Sequence, residues 1–152
     1  MTELQTKLLF RCRELKVKFR SWSEVSTRFA PWLLRRFGWN VETTWMTLGR
    51  TILHPNRVSN PIGDCPTTCA HELEHVTQQL AALCVPWWLI RYVVSDKFRL
   101  KMERAAFLVD IKNGACTVAN ASRALAHDYR IDCATEEEIA NWFTHKLEGG
   151  NT

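Results

Sequence analysis

Apolar residues near the amino terminus recur at spacings of four and three. Leu4, Leu8, Cys12, Leu15 and Phe19 share one face of a helix predicted over residues 3–20, with Lys7, Arg11, Lys16 and Lys18 mostly elsewhere. Ser23 can cap a second helix reaching Phe29; Pro31 suits a fresh first turn leading to Phe37, and Gly38 a stop. Over residues 41–53 the period falls towards two, and Val, Thr, Trp, Met and Ile dominate. This predicts two short strands, 41–47 and 50–54, turning at Gly49 and ending at His54-Pro55. Residues 55–63, with two prolines, two asparagines and a glycine, predict a loop.

A third helix is predicted from a cap at Asp64 to about Leu83, with Cys65 and Pro66 in its first turn. Cys69, Leu73, Val76, Leu80 and Leu83 form its apolar stripe. Further helices are predicted from Pro86 to Val94, over 97–112 with a stop at Asn113-Gly114, over 117–128, and over 135–147. The last carries a Thr135/Glu138 capping box. The expected fold class is therefore α+β and mostly α, with one short β-hairpin ahead of the third helix. A chain of 152 residues without a Gly/Ser/Pro-rich linker suits a single domain, with a core over 41–112 and helical flanks at 1–40 and 115–148.

The third helix contains His71-Glu72-Leu73-Glu74-His75, an H-E-x-x-H sequence. At about 100° per residue the two imidazoles fall about 40° apart and one turn apart, so both can reach one metal ion. Glu72 falls beside them, where a carboxylate can take a proton from a metal-bound water. The chemistry this predicts is that of a zinc hydrolase with Glu72 as general base. The apolar stripe lies elsewhere on the helix, so one side can enter the core while His71, Glu72 and His75 face a cleft.

A catalytic zinc usually takes three protein ligands and keeps one open position. The position six residues after His75, where a metzincin has its third histidine, is Ala81. Glu103 is the best candidate, 28 residues past His75 on a helix that can double back after Pro86 and Ser95-Asp96. Ala106 on the same face permits close approach, and Asp110 can hydrogen-bond a ligand histidine. The bland alternative for Glu103 is a surface salt bridge with Arg99 or Arg104, and His127 and Asp96 are fallback ligands. Cys65-x-x-x-Cys69 raises a structural Cys₂His₂ site, but Cys69 belongs to the apolar stripe and such a site leaves Glu72 without a role. Tyr92, Arg99, Tyr129 and His127 are candidate oxyanion stabilisers, Tyr92 the first of them.

Taken together, Thr51-Ile-Leu-His-Pro55, His71-Glu-Leu-Glu-His-Val76-x-Gln78, Trp87-Trp-Leu-Ile-Arg-Tyr92, Arg99 and Glu103-x-x-Ala106 resemble the small gluzincin-like zinc metallopeptidase domains of phage and bacterial genomes. The resemblance covers about residues 44–112. It implies a zincin-like fold with an edge strand above the active-site helix, one zinc on His71, His75 and Glu103, and Glu72 as base. It departs from thermolysin-like gluzincins at Phe107, which stands where an Asp follows the third ligand, and in lacking a counterpart to the downstream helper histidine. A peptide or protein would be the substrate, held along the 50–54 strand. Two further readings are a zinc hydrolase acting on a non-peptide substrate and a non-catalytic module with structural zinc.

Charge adds a smaller expectation. The first 40 residues hold nine Lys/Arg against three Asp/Glu, which raises nucleic acid or an anionic membrane as a partner; a solvated helix face accounts for it more simply. Residues 80–94 are the most apolar window, interrupted by Pro86 and Arg91 and too short to span a bilayer. Trp87 and Trp88 raise a membrane-surface role beside the simpler core one. The amino terminus lacks the apolar run of a signal peptide, so a cytoplasmic protein with six reduced cysteines is expected.

Overall fold

The computed structural model describes residues 1–25, 40, 42–82, 84–129 and 131–149. The chain is mostly helical with a small three-stranded sheet, and it divides into two compact units, Met1–Val85 and Pro86–Thr152. The helices expected over 23–29 and 31–37 lie largely outside the described residues.

In the first unit, α1 (Glu3–Leu15) starts at a Thr2/Gln5 capping box and buries Leu8 and Cys12. It is shorter than the 3–20 span expected. Lys16 adopts left-handed backbone (φ 54°), and its N–H closes on the Cys12 and Arg13 carbonyls, ending the helix. The chain then extends as β1 (Lys18–Ser21), whose alternate residues face outward. Its partner is remote in sequence. β1 pairs in parallel with β3 (Thr51–His54), Lys18 opposite Thr51 and Ser21 opposite His54. A single turn of 3₁₀-helix at Trp22–Glu24 follows, and the Trp22 indole N–H donates to the Thr44 carbonyl at 2.8 Å.

β2 (Met46–Leu48) pairs antiparallel with β3, Thr47 opposite Ile52 and Leu48 opposite Thr51, which leaves Gly49-Arg50 as a two-residue turn. Gly49 has φ 59°, the positive value that the first central residue of a II′ turn requires. The strand order β1-β3-β2 corrects the expectation for 50–54: β3 is central, with both of its sides hydrogen-bonded, and cannot be the strand that accepts a peptide.

Asn60 caps a helical turn, α2 (Pro61–Asp64), within the stretch expected as loop. Asp64 does not cap the next helix; its carboxylate accepts the Asn60 N–H, and Cys65 is the N-cap residue of α3 (Pro66–Ala81), with Pro66 in the first turn. Cys69, Leu73 and Val76 of the expected stripe are buried; Leu80 is exposed.

The second unit holds α4 (from Val85 to Val94), α5 (Asp96–Lys112), α6 (Val118–Arg123) and α7 (Glu136–Leu147). Ser95 caps α5, and Gly114 (φ 71°) follows its end. The helix expected over 117–128 is α only to Arg123. A π-turn over Ala124–Asp128 follows, with the Tyr129 N–H bonded five residues back to Ala124. The core of this unit is Leu100, Ala121, Leu125, Ile131, Ile139 and Phe143. Ile139 and Phe143 are fully buried, and each such side chain contributes about 1.5–3 kcal/mol. The predicted capping box is present: Thr135 Oγ1 accepts the Glu138 N–H, and Glu138 Oε2 accepts the Thr135 N–H.

Candidate metal centre

The buried side of α3 carries more than hydrophobes. His71, Glu72 and His75 are 8%, 6% and 7% exposed, which is unusual for groups that must be desolvated. The one-turn spacing brings the two imidazoles edge to face, with ring centroids 5.1 Å apart. On α5, Glu103 is 1% exposed, followed one turn later by fully buried Ala106. The ligand atoms of His71, His75 and Glu103 lie within 4.8 Å of one another, a buried group of two imidazoles and one carboxylate that can hold a metal ion. Neither Cys65 nor Cys69 belongs to it. Cys69 donates its thiol to the Pro61 carbonyl at 3.1 Å, and burial pushes its pKa far up, so it is a protonated core residue.

Two of its members are held by neighbours. His75 Nδ1 lies 3.0 Å from Gln78 Oε1. A carboxamide oxygen accepts, so in this contact the ring carries its proton on Nδ1. Tyr92 donates its hydroxyl to Glu103 Oε1 at 2.5 Å, the expected oxyanion stabiliser thus engaging the candidate ligand itself. Its ring stacks on Trp88 at 5.2 Å.

Glu72 is fixed from the sheet. Thr47 Oγ1 lies 2.7 Å from Glu72 Oε2 and 3.0 Å from the Glu72 carbonyl. One carboxylate oxygen is therefore pinned, and among the described residues none donates to the other. Thr47 is itself held in place through Gln79. That side chain, 1% exposed, accepts the Gly49 N–H at 2.6 Å and donates to the Thr47 carbonyl at 2.9 Å, tying the hairpin to α3.

The other candidates are placed as follows. Arg99 pairs with Asp96 at 2.6 Å and donates to the Tyr92 and Val93 carbonyls, so Asp96 is engaged as an ion-pair partner. Arg104 lies over the Trp142 ring. His127 is exposed, 3.3 Å from Glu136. Tyr129 packs edge to face on Phe107. Asp110 is half-buried two turns beyond Glu103. Lys7 and Arg11 on α1 pair with Glu3 and Glu14 in solvent, as on an ordinary solvated face. Trp88 is buried and Trp87 exposed, and among the described residues no helix is long and apolar enough to cross a membrane.

Sequence reasoning missed Thr47, Gln78 and Gln79 as supports. Gln78 had a signal, since position i+3 from His75 lies on the same helix face. Thr47 had none, because its neighbour Glu72 is brought to it by the tertiary fold. No protein family, curated protein or solved structure matches this chain.

Proposed function

We propose that the chain is a zinc-dependent hydrolase, a peptidase of gluzincin type, with His71, His75 and Glu103 holding the ion and Glu72 as general base. The observation that carries this reading is the buried His-His-Glu group beside a carboxylate held by one oxygen only. Two imidazoles and a carboxylate suit zinc and leave a fourth position open. Bound there, zinc would supply a Lewis acid that polarises a carbonyl and lowers the pKa of water towards 7.

The residues of the chain then divide the work. Glu72 takes a proton from the attacking water at the oxygen that Thr47 leaves free, and returns it to the leaving amine. Gln78 fixes the tautomer of His75. Asp110 is a candidate to hydrogen-bond a ligand histidine. Tyr92 orients the carboxylate of Glu103. An extended peptide would lie along β2, the strand that carries Thr47, because β3 is enclosed on both sides.

Glu72→Gln tests the assignment. The variant should keep one zinc per chain by elemental analysis and lose hydrolysis of a fluorescent casein or a peptide library by about 10²–10⁴-fold. Turnover equal to the parent's would remove Glu72 as base. His71→Ala should lose the zinc itself. Zinc in the parent with no turnover of either probe would favour the non-peptide hydrolase or the structural-zinc reading instead.

A further inference from the structure

The second unit contains a cavity of about 420 Å³ lined by Lys97, Lys101 and Arg104 of α5, Cys133, and Glu138 and Trp142 of α7, with Leu100 and Ala134 completing it. Positions 97, 101 and 104 are spaced four and three apart, so one face of α5 directs three cations at one space. Lys97 and Lys101 are exposed and Arg104 half-buried. The Arg104 guanidinium lies 5.2 Å from the centre of the Trp142 ring, and its buried Nε has no hydrogen-bond partner. Among the described residues none of the three cations forms an ion pair. The single carboxylate in the lining, Glu138, interacts electrostatically with Arg104 and offsets one of the three charges. Glu138 Oε2 is engaged by the Thr135 N–H and hydroxyl at 2.8 and 3.1 Å, as the cap of α7.

We infer that this cavity is a binding site for a small phosphorylated ligand, with Lys97, Lys101 and Arg104 as its phosphate-binding residues. Three cations against one carboxylate leave two positive charges, which match a phosphate dianion and exceed what a monocarboxylate needs. Arg104 presents a planar fork suited to two phosphate oxygens, and the indole beneath it holds that fork in one orientation. The buried Nε–H gains the acceptor it lacks when such a ligand enters. The volume admits a phosphomonoester with a body of modest size. Burial lowers the pKa of Arg104, and the Coulombic pull of Cys133 and Glu138 opposes that shift. The site stands apart from the metal-centre reading and does not need it.

Titration of the ¹⁵N-labelled full chain with inorganic pyrophosphate tests the inference, read from amide and Trp142 indole resonances. Saturable shifts centred on α5 residues 97–104 and on Trp142 are expected. Lys97→Ala/Lys101→Ala should weaken binding at least tenfold, Lys112→Ala on the exposed end of the same helix should leave it unchanged, and Arg104→Lys should weaken it with charge retained. Acetate at equal ionic strength should produce no saturable shift. The inference fails if pyrophosphate causes no saturable change in the millimolar range, if the double variant binds as the parent does, or if the shifts centre on His71 and His75.

Discussion

A single hydroxyl decides how Glu72 is presented. Thr47 offers one proton to a carboxylate that would otherwise choose among rotamers in a buried site. Thr47→Val keeps the shape of the side chain and removes that proton. Expected is a fall in kcat on casein of about tenfold or more with KM and zinc content little changed, and recovery in Thr47→Ser, whose hydroxyl can occupy the same place. Equal loss in the Val and Ser variants would make Thr47 a packing residue only. The cysteines give a second expectation. Burial pushes the Cys12 thiol up to about 11 from its ordinary 9.0. Below pH 9 the thiol is protonated in both folded and unfolded chains. Between pH 9 and about 11 the unfolded chain ionises first, so stability falls as pH rises through that window. Cys12→Ala should flatten that alkaline decline in urea-unfolding midpoints, and a slope identical to the parent's would refute it. Exposed Cys84 and Cys133 should react with a thiol reagent in the folded protein, while Cys12 and Cys69 wait for unfolding. At this scale helical spacing made His71 and His75 legible, while Glu103 was legible only through a helix able to double back with Ala106 on the same face. Thr47 was illegible because nothing in local spacing ties residue 47 to residue 72.

Several elements were legible from local signals, although the Asp64 cap was not, and β1, which depends on a distant partner, was missed. The Thr135/Glu138 box, the stop at Asn113-Gly114 and the Gly49 turn each need only a few neighbouring residues. β1 needs Thr51–His54, some thirty residues on, and the helical spacing of Leu15 and Phe19 concealed it. The same long-range pairing makes β3 central and leaves β1 and β2 as the edges. The hairpin that supplies the β2 edge depends on two features that can be tested apart. Gly49→Ala places a Cβ in open space, with nothing within 4 Å, so its cost is the positive φ alone, about 1–2 kcal/mol. Gly49→Asn should cost less, since Asn tolerates that region. Gln79→Leu leaves the buried Thr47 carbonyl without its partner, at about 1–3 kcal/mol, and the half-buried Gly49 N–H at less. At about 2–4 °C per kcal/mol for a chain of this size, Gln79→Leu should lower Tm by several degrees and Gly49→Asn by little. A Gln79→Leu variant as stable as the parent would mean the clamp does not hold the hairpin.

For the molecule as a whole, a metal ion held by this group would be a term in stability. Glu72 and Glu103 are carboxylates removed from water, and a buried charge is costly without compensation. A divalent cation bound there would stabilise the folded chain alone, where residues 71, 75 and 103 meet. Zinc at a hundred times its Kd should therefore add about 2.7 kcal/mol, or roughly 5–10 °C in Tm, and excess EDTA should remove it. Glu103→Gln separates the two contributions. The amide can still accept the Tyr92 hydroxyl through its oxygen, yet it carries no charge to desolvate and binds zinc poorly. In EDTA this variant should melt near the parent. In zinc the two should separate, the parent gaining its full shift and the variant little. His71→Ala should likewise be blind to zinc. Calorimetry of the three proteins with and without zinc reads all of this at once. If the parent melts at the same temperature in both conditions, the buried trio does not bind the ion. A zinc shift preserved in Glu103→Gln would mean that the ion is held without residue 103, and the third ligand would have to be sought elsewhere.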